Sequence, residues 1–239
     1  MKTPIQEIFA PFKTLLPRFV WTRIRSISTA VLTPIVFSKW SGHFKSSLRE
    51  KAVSSKGHPL PWYTYPSIDL LSHRDLSGRT VLEFGGGQST LWWAARAERV
   101  ITVEGDPSWH AQIAKTLPSN VSLYLVRTET KSAFLADVEA IMCTEQEQKV
   151  DVVIIDSDYR EDLIDLAFSS LAENGAVICD DAESYGFYDV TKNMDVARVD
   201  FFGYSPGVVL PHCTSIFFVK QCFLFDARYP IPDMATAHY

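Results

Sequence analysis

Residues 80–90 read TVLEFGGGQST, and the fold follows from this stretch. Thr80–Phe84 is a short, nearly unbroken apolar run, the pattern of a strand covered on both faces. Gly85, Gly86 and Gly87 stop it. Three glycines let the backbone bend sharply and approach a ligand where a Cβ would obstruct it. Gln88-Ser89-Thr90 then opens a helix whose first N–H groups have no partner within the helix and point into the crevice. Nineteen residues after Gly85, Glu104 closes a second apolar run, RVITVE over Arg99–Glu104. A carboxylate at that place can accept hydrogen bonds from both hydroxyls of a ribose. A glycine turn alone is a weak signal, but together with this acid it points to an adenosine-type ligand.

The same alternation continues downstream. Pro107 opens a helix, where its missing N–H costs nothing. A third strand is expected over 121–126, a helix over 132–142, a fourth strand over 150–156 (VDVVIID) and a helix over 161–172. Asn174-Gly175 then turns into a fifth strand at 176–180 (AVICD). Strands separated by helices imply right-handed crossovers and a parallel sheet. Segments 199–204 and 214–219 (TSIFFV) read as strands joined by 205–213 without a helix, an antiparallel pair at the sheet's edge. The expected fold is therefore α/β. It has a seven-stranded, mostly parallel sheet with helices on both faces and an antiparallel C-terminal strand pair, preceded by a helical extension. Residues 1–58 form that extension and 59–239 the domain, with a loop rich in proline and aromatic residues at 54–66 (SSKGHPLPWYTYP) near the junction.

Charge divides the chain in the same way. Residues 1–60 hold ten Lys/Arg against two acids, net +8, while the remainder is net −13. An acidic body is poorly made for a nucleic-acid backbone, where Lys/Arg neutralisation of phosphate supplies most of the affinity; no nucleic-acid partner is expected. In the head, Val20, Ile24, Ile27 and Val31 recur at helical spacing near Arg18, Arg23 and Arg25. Such a helix over 17–36 either packs on the body or on a second copy, making a homo-oligomer, or lies on a membrane surface. The longest uncharged stretch there, 26–38, is shorter than a spanning helix and is interrupted by Pro34. It is also no secretory signal, since charges flank it and no cleavage site follows. Cys143, Cys179, Cys213 and Cys222 are scattered without a CxxC pattern, which suits a reducing, cytoplasmic setting.

In an open parallel sheet, ligands bind beyond the carboxyl ends of the strands. Four of the five parallel strand ends carry acids: Glu83, Glu104-Gly105-Asp106, Asp156-Ser157-Asp158 and Asp180-Asp181. A dinucleotide turn would carry a third glycine where Thr90 stands, and Glu83 would repel a pyrophosphate. A cationic nucleoside, S-adenosylmethionine, suits an acid-lined crevice better. VLEFGGGQST resembles the first motif of the class I S-adenosylmethionine-dependent methyltransferases, and VITVEGD the second. VDVVIIDSD and GAVICDD resemble the fourth- and fifth-strand motifs, so the similarity covers about residues 60–220. It implies that Glu83, Gly85, Gly86, Gly87 and Ser89 surround the methionine part of the cofactor and that Glu104 holds its ribose. Many members place an acid or amide near the adenine, whereas this chain offers Arg127-Thr128-Glu129.

Within that family, the catechol O-methyltransferase-like branch is similar at Asp156, Asp180 and Asp181, where its members hold Mg²⁺. The resemblance implies a metal on these three residues. Asp156 would be catalytic through that metal, which would bind and acidify a substrate hydroxyl, or would hold cofactor or substrate without one. Asp180-Asp181 could equally cap a helix. His58 and His212 are candidate general bases, each weighed against a local structural role. Trp62, Tyr63 and Tyr65 either cover a sulfonium, which aromatic faces attract, or anchor the head; Trp92-Trp93 read as core. The expected activity is methyl transfer to a small or medium acceptor, preferably at oxygen. An NAD-type oxidoreductase and a non-catalytic adaptor docked through its basic head are the alternatives. The acceptor would be read by the aromatic loop and by residues 183–194 and 205–213.

Overall fold

The computed structural model describes residues 16–145 and 149–231; the first fifteen residues of the extension and the last eight of the chain lie outside the described residues. Among the described residues, α1 (Arg18–Trp40) and α2 (His43–Arg49) precede α3 (Tyr65–Ser72). The body follows as β1 (Thr80–Phe84), α4 (Gln88–Ala94), β2 (Arg99–Glu104), α5 (Pro107–Ile113), β3 (Val121–Leu125), α6 (Lys131–Glu145) and β4 (Val150–Ile155). A 3₁₀ turn (Arg160–Leu163) leads into α7 (Ile164–Ser170), then β5 (Leu171–Cys179), α8 (Phe187–Thr191), β6 (Ala197–Gly203) and β7 (His212–Phe218). The strands lie in one seven-stranded sheet in the order β3-β2-β1-β4-β5-β7-β6. The first five are parallel, and β7 runs antiparallel between β5 and β6. The expected architecture is the observed one.

Strict alternation splits the core in two. Val81, Val100, Val152, Ile154, Ala176, Ile178 and Ile216 face one layer, which includes α3, Trp92 and Trp93. Leu82, Phe84, Ile101, Val103, Val153, Ile155, Val177 and Phe217 face the other, under Phe134, Val138 and Met142 of α6 and Ile164 and Ala167 of α7. Both faces being buried is why these strands read as continuous apolar runs. Trp92 and Trp93 are core, as read from the sequence.

Three local differences from the expectation have physical causes. First, β5 begins at Leu171 rather than 176, because the Asn174-Gly175 stretch bulges instead of turning: Val150 pairs with Leu171, and Val152 already pairs with Ala176. Second, α1 runs unbroken through Pro34 for 23 residues with no buried residue. In a solvated helix, water can take the carbonyl that the proline leaves without a donor. Among the described residues, no helix is long and apolar enough to cross a membrane. Third, the aromatic loop divides its labour. Tyr63 and Tyr65 are buried, with Tyr63 Oη accepting from Trp93 Nε1 at 3.2 Å, whereas Trp62 is 44% exposed. The chain before this loop is packed as well: Ala52 is fully buried in the first layer, and Gly207 N–H donates to His43 Nδ1 at 3.3 Å.

Candidate active site

The parallel topology brings the carboxyl ends of β1, β2 and β4 together on either side of the chain reversal between β1 and β4. A cleft of about 650 Å³ opens there, lined by Gly85–Gly87, Ser89, Glu104, Trp109, Asp156, Arg160 and Tyr185 among others. The glycine turn forms its floor, and two positions require glycine. Gly85 has φ +95°, and a Cβ on it would lie 2.1 Å from the Asp156 carbonyl oxygen. A Cβ on Gly86 would meet Ile113 Cδ1 at 2.8 Å and Thr102 Cγ2 at 2.9 Å. At these two positions the turn is pressed between β2, β4 and α5 with no room for a side chain.

Glu104 shapes the second wall. Its Oε2 accepts from Gly86 N–H at 2.9 Å, and its Oε1 accepts from Gly105 and Asp106 N–H at 2.8 Å each. Three amides fix this carboxylate at the cleft edge; two of them occupy Oε1, and Oε2 keeps acceptor capacity for a ligand hydroxyl. Trp109, on α5, donates from Nε1 to Gly86 O at 2.7 Å and so covers the turn from the side. Asp106 positions α5 by capping it, accepting from Ser108 and Trp109 N–H.

Glu83 does not line the cleft. It is fully buried beneath the turn, where Oε2 accepts from Thr90 Oγ1 at 2.5 Å and from Thr102 Oγ1 at 3.1 Å. Thr90 Oγ1 in turn accepts from Gly87 N–H at 2.9 Å. The residue in the third-glycine place is thus a relay linking the buried acid to the turn. Glu83 Oε1 is buried with no hydrogen-bond partner. Burial pushes the Glu83 carboxyl up to about 7, against the hydroxyls of Thr90 and Thr102 that favour its charge.

The acids after β4 and β5 surround a buried arginine. Asp156 Oδ1 lies 2.7 Å from Arg160 Nη2, and Asp181 Oδ2 lies 3.9 Å from Arg160 Nη1. Arg160 also donates to Asp180 O at 2.8 Å and to Ser157 O at 3.0 Å. Asp180 is 2% exposed and accepts from Thr214 Oγ1 at 2.8 Å. Asp181 pairs closely with His212 Nδ1. Burial and Asp180 raise the Asp156 carboxyl, with Arg160 opposing them; burial likewise raises Asp180, with His212 opposing it. The His212 contact holds Asp181 below the usual carboxylate range. Burial works against the charged His212 imidazole, but Asp181 and its acidic neighbours outweigh it and the net shift is upward.

Of the residues singled out in the sequence, Gly85, Gly86, Gly87, Ser89, Glu104 and Asp156 line one cleft. Asp180 and Asp181 stand behind Arg160, and a different trio, Asp180, Asp181 and His212, places one possible ligand atom each within 4.8 Å of the others. His58 lies away from the cleft, its N–H held by Ser54 Oγ. Arg127 is paired with Asp137, leaving Thr128 to line the wall. Tyr185 falls within 183–194, a stretch expected to read the acceptor, whereas sequence reasoning missed Trp109 and Arg160. Neither carries a sequence signal: an arginine four residues after an acid reads as a solvated pair, and a tryptophan on a helix reads as core.

Solved methyltransferases share this fold. An O-methyltransferase from Bacillus cereus, solved with S-adenosylhomocysteine, is 16% identical over 77% of this chain and 91% of its own, with a TM-score of 0.51. The O-methyltransferase TomG from Streptomyces achromogenes, involved in tomaymycin synthesis and solved with S-adenosylmethionine, is 16% identical over 77% of this chain and 88% of its own, with a TM-score of 0.50. At such identities the likeness establishes the fold. No protein-family profile and no curated protein sequence matches the chain.

Proposed function

We propose that this protein is an S-adenosylmethionine-dependent methyltransferase acting on the oxygen of a small or medium acceptor. The observation that carries the reading is the glycine turn: backbone pressed to its limit at Gly85 and Gly86, flanked by the amide-clamped Glu104, above a buried acid with a free oxygen. These features fit the proposed ligand part by part. Glu104 would accept the ribose hydroxyls, the turn and Ser89 would lie along the amino-acid part, and the negative field of Glu83 would favour its ammonium. Thr90, where a dinucleotide turn has glycine, counts against a nicotinamide cofactor.

When bound, the cofactor supplies an electrophilic methyl group on a sulfonium. The chain's contribution is to position the acceptor. Trp62, Asp156 and Tyr185 also line the cleft and would hold the acceptor oxygen in line with the methyl carbon. Well-oriented reactants of this kind are worth up to about 7–11 kcal/mol of barrier. The acidic body supports a small acceptor rather than a nucleic acid. A cytoplasmic setting belongs to the same reading, with the exposed, basic α1 able to touch an anionic membrane surface. Incubation with methyl-labelled S-adenosylmethionine and a panel of hydroxylated small molecules tests the proposal. Label should pass to at least one acceptor, and less of it when Asp156 is replaced by Ala; transfer to none, by a protein that binds the cofactor, would favour the adaptor.

A further inference from the structure

The branch resemblance implies a divalent cation on Asp156, Asp180 and Asp181, and the residues do not fit one. Mg²⁺ asks for octahedral oxygen ligands at ~2.0–2.1 Å and keeps several waters. Here the place between the acids is taken by Arg160, only 9% exposed. Its guanidinium lies 2.7 Å from Asp156 and 3.9 Å from Asp181, and bonds the Asp180 and Ser157 carbonyls. A dication among these carboxylates would face the positive charge of this guanidinium at close range. One oxygen of Asp180 is also engaged by Thr214, and one of Asp181 by His212. Tyr185, whose ring centroid lies 4.3 Å from the Arg160 guanidinium carbon, closes the cleft side. The backbone is bent to build this arrangement. Tyr159, just before Arg160, has φ +54°, and Asp181 has φ +50°, both left-handed without being glycine. Such conformations cost free energy and persist where the surroundings enforce them.

We propose that Arg160 is a built-in replacement for the metal ion: it holds the three aspartates together as a positioning residue, and methyl transfer proceeds without a divalent cation. The proposal rests on the methyltransferase reading. It also narrows the acceptor. With no metal to chelate, the cleft has no bidentate seat for a vicinal diol, so a single hydroxyl suffices.

Mn²⁺ serves as the probe, its free-ion resonance followed in full-length protein, while S-adenosylhomocysteine binding is measured by calorimetry on the same preparation with and without EDTA. The expected result is that wild-type protein leaves the Mn²⁺ signal undiminished and that EDTA leaves nucleoside affinity unchanged. Arg160→Met should take up one Mn²⁺ per chain, at least ~10-fold more tightly than wild type, and Arg160→Lys should not. One Mn²⁺ bound per wild-type chain and lost in Asp180→Asn would overturn the proposal, as would a folded Arg160→Met that binds none. Should Arg160→Met fail to fold, the wild-type titration and its Asp180→Asn control decide alone. Failure of the nucleoside to bind would remove the methyltransferase reading while leaving the Mn²⁺ result interpretable.

Discussion

Replacing Glu83 by Gln tests the claim that a buried carboxylate is kept under the turn at a cost to stability. Folding moves its pKa from 4.5 to about 7. At 1.36 kcal/mol per unit, keeping it ionised costs the native state about 3 kcal/mol. The sign follows from linkage: the native state holds this proton more tightly than the unfolded chain. The group therefore lowers stability progressively as pH rises from 4.5 to about 7, and by the full amount above that. Glu83→Gln removes the titration while keeping an acceptor for Thr90 and Thr102. Its new amide N–H₂ would lack a partner where Oε1 lacks one now, a penalty of about 1–2 kcal/mol. The variant should then be about 1–2 kcal/mol more stable than wild type at pH 8 and slightly less stable at pH 4.5–5. Urea unfolding at both pH values measures this, and the variant-minus-wild-type difference should grow by about 3 kcal/mol across the window. S-adenosylhomocysteine affinity should move the other way. It should weaken up to about tenfold per unit as pH falls below 7 in wild type, and be lower and flatter in the variant. A stability difference that stays constant with pH would refute the reasoning.

Other substitutions probe the same cleft. Gly85→Ala forces a left-handed non-glycine and a Cβ onto the Asp156 carbonyl, so it should cost at least about 2 kcal/mol in chemical denaturation and abolish nucleoside binding. Thr90→Val removes the relay between Gly87 and Glu83 at nearly constant volume. Loss of about 2–3 kcal/mol is expected, and unchanged stability would show the relay to be idle. Glu104→Gln turns an amide donor towards backbone N–H groups and should weaken nucleoside affinity at least ~10-fold by calorimetry, with the fold intact by circular dichroism. Trp109→Phe keeps an aromatic side chain, though a smaller one, but loses the bond to Gly86, and a loss of about 1 kcal/mol is expected by urea unfolding.

The fold was legible because both-face burial writes itself into single runs of sequence: β1 and β2 lie over the residues their apolar patterns indicate. The bulge in β5 was not legible, since Asn-Gly reads as a turn and only pairing with β4 absorbs it into a strand. The turn and Glu104 were legible as a local motif with fixed spacing. Arg160 was not, because an arginine four residues after an acid ordinarily reads as a solvated helix pair. Only the approach of β5 and β7 shows it to be buried among three aspartates. Glu83 was read as a cleft residue, and the alternation of β1 explains its burial: it shares a face with Val81, towards Thr90 and Thr102.

The central claim is tested most directly by titrating S-adenosylhomocysteine and NADH, side by side, into the full-length protein at pH 8 in a calorimeter. The account predicts one S-adenosylhomocysteine per chain, lost in Gly85→Ala, and no heat from NADH. Saturable binding of NADH at the glycine turn, with none of the sulfur nucleoside, would contradict it.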